Sequence, residues 1–452
     1  MGTTPAKPKC NFKLGIKPEI RCPHDVHWGG MCLFHLLSLG ETHPDHPQFK
    51  LAVSIPTHGD KIRAAFSDLL QTIENDPSCS VADFRGFRLP SIDLRGHTFT
   101  KEVLFTEARF YGSVVFSGAT FEKPVGFDHA VFAGLTDFYS VAFEDSVSFN
   151  LVGFDGDATF VDGLCKGPAE FAQCTVAGRL EFLNWSFEQE CSFDSLRRSK
   201  DGTILFELVN LDKATFLSTQ LESIEFRAVR WLSRGKRKNM LCDELPASLR
   251  GAGGRRPDKE HPLTEAEIAY FYDQLAGNYR QLVLNYERAR DFDAAEDFHI
   301  GEMEMRSIIA ERRLRYAPLR RLWRHLGPYR LYDAFSGYGA SLGKAFCWLL
   351  VWSLLIFPSL FMVSGFQRID PIAGKSARLI QYSPTPDLRN VRQWFWDYCQ
   401  AISFSLSAAT FQRVRLYEPA GPWCYFFMIA GSVIFTSQAA LLLLALRRRF
   451  KR

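Results

Sequence analysis

Four residues near the start of the chain have the side-chain types of a metal centre. Cys10, Cys22, Cys32 and His35 offer three thiolates and an imidazole, the soft sulfur and nitrogen set that holds tetrahedral zinc. The Cys32-Leu33-Phe34-His35 clip is short enough for both ends to reach one ion. The Cys10-to-Cys22 spacing is looser, and His24 or His27 can substitute. A zinc held by four protein ligands is structural, because a catalytic zinc keeps one position open. The alternative is a cysteine-containing leader without metal. No phosphate loop, dinucleotide glycine motif or Gly-x-Ser-x-Gly elbow occurs, and His97 and His129 stand isolated, as solvent-facing residues would. The expectation is a protein that is not an enzyme, with structural zinc as its one cofactor.

A second group lies near the C-terminus. From Trp394 the chain runs through aromatic residues into small and hydroxylated ones, ending in Ser407, Ala408, Ala409, Thr410, Phe411, Gln412 and Arg413, with Arg415 beyond. Residues 345–367 before it and 419–446 after it carry no charge, and each exceeds the roughly 20 residues that cross a bilayer. The run between them is too polar for a third span and fits a half-length helix that re-enters the membrane. In the second span Gly431 can act as a hinge, Ser432 and Thr436 share one face, and Gln438 is polar at depth. These four are candidate pore-lining residues, and close packing between helices is their competing use.

The order span, re-entrant helix, span resembles the two-transmembrane potassium-channel pore domain. The matching residues are Trp396, Ala401, Phe404-Ser405 and Ala408-Ala409-Thr410. The resemblance implies a homotetramer around a pore. Where that family places a Thr-Val-Gly-Tyr-Gly-Asp filter, this chain has Thr410-Phe411-Gln412-Arg413-Val414-Arg415. Without Gly-x-Gly the backbone does not line carbonyls toward a cation, and Arg413 and Arg415 repel one. Ion selectivity is therefore undefined.

The elements that position these groups begin with a repeat. The chain has 40 Phe against 9 Trp and 14 Tyr, so Phe is selected at particular places. Phe105, Phe110, Phe116, Phe121, Phe127, Phe132, Phe138, Phe143, Phe149, Phe154 and Phe160 follow in steps of five and six, with Ala or Val two residues before most of them. Neither the helical period of 3.6 nor the strand period of 2 fits. The pattern resembles the pentapeptide-repeat family, which implies a right-handed quadrilateral β-helix with four repeats per coil. The alternating steps make each coil 22 residues. At a rise of roughly 4.8 Å per coil, about seven coils give a rod on the order of 35 Å long. Residues 81–193 hold 16 acidic and 8 basic side chains, a charged face that keeps the rod soluble, while its long flat sides suit protein contacts.

The expected class is a β-solenoid plus α. Residues 1–50 form the Cys/His-rich leader, 51–80 a helical cap, 81–231 the β-helix and 232–263 a linker. Residues 264–344 form a helical connector, opened by the capping box at Thr264 and Glu267 and closed by an arginine-rich helix on the membrane surface. The spans at 345–367 and 419–446 bracket an external segment, 368–418, and 447–452 form a basic cytoplasmic tail. The eleven cysteines show no disulfide framework, and residues 1–17 lack an apolar stretch. Both termini are therefore expected in the cytoplasm, with the chain in the inner (plasma) membrane. A net charge of +4 gives no reason for a nucleic-acid partner; bilayer, protein partner and further copies of the chain are the expected ones. The functional expectation is a channel-like membrane protein whose rod binds or senses a partner. The alternative is a non-conducting, membrane-anchored scaffold.

Overall fold

The computed structural model describes Lys9, Asn11, Lys13 and residues 32–35, 56–235, 237–245, 264–314, 317–369, 376–382, 391–409 and 417–450. These form two compact units, Met1–Glu302 and Met303–Arg452.

The first unit is a four-sided solenoid. Its first face has seven parallel strands beginning at Val81–Asp83, and its third face has seven beginning at Ile92–Asp93. The second face, from Arg88–Leu89, has six, and the fourth, from Thr98–Phe99, has five. Registers repeat every 22 residues through the middle, as in Val103↔Val125, Phe110↔Phe132 and Phe121↔Phe143. Phe182 pairs with Phe206, so an insertion at residues 198–202 is absorbed by one coil. The last regular pairing ends at Arg227.

The 22-residue period sets each ring on its counterpart. Phe127, Phe149 and Phe171 stack at 4.8 and 4.7 Å with planes within 9°, the offset arrangement that aromatic quadrupoles favour. The five-residue steps hold tight turns, such as Ala108 N–H to Phe105 O at 2.9 Å. In these turns Glu107, His129, Leu151, Gln173 and Ser195 all have positive φ. At the six-residue corner after the second face, glycine is compulsory for a different reason. A Cβ on Gly134 would lie 2.5 Å from the Gly112 carbonyl carbon, and one on Gly156 would lie 2.4 Å from the Gly134 oxygen.

Both ends of the rod are covered. Helix α1 (Pro56–Asn75) buries Ile62, Phe66 and Leu70, spaced by four, and Phe66 lies 5.0 Å from Phe84. His97, expected in solvent, is half-buried with its ring 4.4 Å from Phe99, and burial lowers its pKa. At the other end, the expected linker is structured where it is described. Leu232–Arg234 and Arg237–Met240 form an antiparallel hairpin, and a 3-10 turn follows at Cys242–Glu244. The basic, polar sequence of this hairpin carries no alternation, so its pairing was not visible in the residues.

Helix α2 (Glu265–Arg288) opens with the capping box, with both reciprocal bonds between Thr264 and Glu267 present. Its apolar stripe of Phe271, Leu275, Tyr279, Leu282 and Tyr286 is buried. Asn278 donates to Phe216 O at 2.8 Å, and Asn285 donates to Leu221 O and Ile224 O. The helix thus closes the last coil by satisfying backbone carbonyls at the rod's end, where the sequence suggested only a connector. Helix α3 (Phe292–Arg312) follows and sets Phe298 5.6 Å from Trp231.

The second unit contains α4 (Ala317–Leu326), α5 (Pro328–Ser336), α6 (Leu342–Ser364), α7 (Val391–Ala409) and α8 (Pro422–Phe450). Helices α6 and, in α8, Pro422–Arg447 are long and apolar enough to cross a membrane. The expected bounds shift. Gly365, at φ +87°, ends α6, and Phe366–Ile369 leaves it as a strand paired with Ser376–Ile380 and Tyr417–Pro419. Hydropathy alone does not separate an apolar strand from the helix before it. Within α6, a π-turn at Trp352–Ile356 precedes Pro358, whose missing N–H disturbs the ladder there. Phe357, Phe361, Phe366, Phe404 and Phe435 form the core that joins α6, α7, α8 and the small sheet.

Candidate functional site

The leader contributes half of its expected metal set. Cys32 Sγ lies 3.1 Å from His35 Nδ1, both buried, in a 3-10 turn at Leu33–His35. Phe34 anchors this turn by stacking on Phe87 at 4.4 Å. Cys10, Cys22, His24 and His27 lie outside the described residues. Among the described residues no group of three or more metal-ligating side chains occurs.

Helix α7 packs on both apolar helices through Phe404, which lies 4.6 Å from Phe361 and belongs to the cluster containing Phe435. Ser407 turns its hydroxyl back to Phe404 O at 2.8 Å, Ala408 and Ala409 end the helix, and Thr410, Phe411, Gln412, Arg413 and Arg415 lie outside the described residues. In α8, a Cβ on Gly431 would lie 3.1 Å from the Phe357 ring, so glycine there permits close approach of α6. Gln438 is buried and donates to Ala345 O at 2.8 Å and Phe335 O at 3.3 Å. It ties α8 to α6 and α5. Ser432 and Thr436 donate to their own helix at Met428 O and Ser432 O, and Thr436 is exposed.

Sequence reading passed over Asp397. Its carboxylate is 1% exposed and accepts from Arg378 Nη2 at 2.9 Å and Tyr382 OH at 2.6 Å. It therefore fixes α7 to the strand Ser376–Ile380. The available signal was one acid inside an aromatic helical run, a placement that demands partners.

Two cysteines of the rod, Cys165 and Cys174, are buried. Burial pushes the thiols of Cys165 and Cys174 up to about 12, which keeps them protonated and inert as nucleophiles. The rod's charge changes along its length. The acidic excess of residues 81–193 gives way over 194–234 to 7 basic and 6 acidic side chains. Asn150 bridges neighbouring coils, donating to Glu170 Oε2 at 2.5 Å and accepting from the Ala172 N–H at 3.2 Å.

No curated protein and no solved structure matches the chain. Residues 84–131 match the family model for pentapeptide repeats (9 copies). The register seen within that segment continues coil after coil to Arg227, so the matched repeats are part of one continuous β-solenoid.

Proposed function

We propose that this protein is a membrane-anchored interaction scaffold, in which α6 and α8 hold the chain in a bilayer and the solenoid presents its sides to a protein partner. The observation that carries this reading is the combination of a solenoid closed at both ends with two helices that leave apolar side chains outward. Leu350, Leu354 and Leu355 of α6 and Phe426, Ile429, Val433 and Leu443 of α8 are all exposed, a placement suited to lipid. Helix α4 extends the membrane contact. Its exposed Leu322 and Leu326 alternate with Arg320, Arg321 and Arg324, the composition of a helix that lies on an anionic bilayer surface. In this reading both termini lie in the cytoplasm of a cell bounded by this inner membrane, and the leader holds a structural zinc.

The test is extraction. The full chain should stay with membranes in alkaline carbonate, and reporter fusions at residue 1 and residue 452 should both report cytoplasm. Release of the intact chain into the supernatant would overturn the anchor.

A second reading has its own observation. Helix α7 contacts both apolar helices through one aromatic core, as a re-entrant pore helix requires. In this reading four copies surround an axis and conduct. Tetramers in detergent and a conductance in planar bilayers altered by Arg413→Ala or Arg415→Ala would support it. A monomer or dimer, or silence in parent and variants, rejects it and leaves the scaffold.

A further inference from the structure

The second face of the rod stops one coil early. It has six strands where the first and third faces have seven, and its last strand is Arg197–Arg198. In the next coil a 3-10 turn, Leu221–Ser223, stands where a strand would be. What remains is a cleft of about 470 Å³ between the last coil and α2, lined by Arg198, Ile204, Glu222, Phe226, Asn285 and Arg288 among others.

Arg198 is out of place there. The in-register column above it is Leu89, Phe110, Phe132, Phe154 and Val176, so an arginine occupies a position that earlier coils fill with core hydrophobes. Its guanidinium donates to the Gly202 carbonyl at 2.9 Å and has no carboxylate partner among the described residues. The other two arginines of the cleft are committed. Arg288 pairs with Glu222, and Arg227 pairs with Glu225 at 2.6 Å and Glu207 at 3.7 Å. The inner wall is apolar: Ile204 and Ile224 are each 2% exposed, and Phe226 lies beside them. Arg197 and Lys200 add positive charge at this end of a rod that is acidic elsewhere.

We infer that this cleft binds an organic anion, a carboxylate carried on an apolar group, with the carboxylate on Arg198 and the apolar group against Ile204 and Phe226. Arginine suits this role because its planar fork meets a carboxylate through two parallel hydrogen bonds. Small organic acids and the C-terminal residue of a polypeptide share this chemistry. The site is independent of whether the second unit conducts.

The test uses the full chain in lipid nanodiscs with four probes: 4-fluorophenylacetate, its neutral amide, a phenylalanine-ended tripeptide with a free carboxylate, and the same tripeptide amidated. Fluorine NMR titration follows the first pair, and calorimetry follows the second. One or both acids should bind at least tenfold more tightly than the matching amide. Binding of the small acid alone assigns metabolite-like acids, and binding of the peptide alone assigns chain ends. Arg198→Gln should weaken the acid at least tenfold, Arg198→Lys should retain more binding than Arg198→Gln, and Lys123→Gln, exposed on a distant coil, should leave it unchanged. Circular dichroism confirms that each variant keeps its solenoid. Acid and amide binding alike, no binding of either acid, or equal affinity in Arg198→Gln would overturn the inference.

Discussion

The two units of this chain are held together in different ways. In the solenoid the same contact recurs: a phenylalanine on its counterpart 22 residues away, flanked by parallel backbone bonds that every coil repeats. In the second unit each tie occurs once. Gln438 meets Ala345, Asp397 meets Arg378 and Tyr382, and Gly431 admits Phe357. A repeated contact spreads stability along a quasi-one-dimensional array. A unique one concentrates it at a single buried polar or close-packed point.

The comparison is broken hardest inside the ring stack. Phe149→Ala removes a fully buried ring between Phe127 and Phe171 and should cost about 3–5 kcal/mol. The denaturation midpoint of the solenoid's β signal should fall accordingly, and an unchanged midpoint would mean the stack is not the source of stability. Next is Gly156→Val, whose Cβ would press on the Gly134 carbonyl. Backbone cannot yield as a flexible side chain does, so a loss of up to about 3 kcal/mol is expected. The same change at Gly277, inside α2 with nothing within 4 Å, should be neutral or stabilising by a few tenths of a kcal/mol, because valine is the better helix residue of the two.

In the other unit, Asp397→Ala removes the buried acceptor that Arg378 and Tyr382 share, and a cost of about 1–2 kcal/mol follows. Limited proteolysis should find the segment around residues 376–382 exposed, while the solenoid's melting stays unchanged. If both units respond together, the division between repeated and unique ties fails.

A smaller effect comes from Asp243. It is fully buried at the rod's end, and burial together with the Asp194 carboxylate pushes its pKa up to about 8, although the Phe216 N–H donates to it. An acid whose folded pKa is raised holds its proton better when folded. Its contribution is complete near pH 4 and is lost as pH rises through about 8. The solenoid's melting temperature should decline across that window, and Asp243→Asn should flatten the decline. An identical slope in the variant would assign it to other groups. The smallest change is a gain. Leu151 has φ +60° and an exposed side chain, so Leu151→Gly should stabilise the turn by about 1 kcal/mol, read as a slightly higher midpoint.

What could be read in advance follows the same division. The coil length, the core column and the positions of the two apolar helices are written locally, because a ring that must meet its neighbour every coil recurs at fixed intervals. The capping box at Thr264 and the stripe of α2 were equally visible, but the destination of that stripe was not. The buried face of α2 carries Asn278 and Asn285 among its apolar residues to carbonyls more than sixty residues away in sequence, and hydrophobic periodicity does not name such partners. The strands beside Gly365 and the role of Asp397 were missed because each depends on a partner farther along the chain, whereas the local hairpin at 232–240 was missed because its polar sequence carries no alternation.

The sequence by itself determined that this chain repeats, how long its coil is, and which two segments are apolar enough to leave water. Those properties depend on residue type and spacing alone. Only the tertiary structure decided that α2 closes the rod, that the second face ends a coil early with an exposed Arg198 in register with the core column, and that Gln438 turns to the carbonyls of α5 and α6. A hydrogen-bond donor or a charge can be satisfied by any partner that folding brings within about 3 Å, and that choice is made in space.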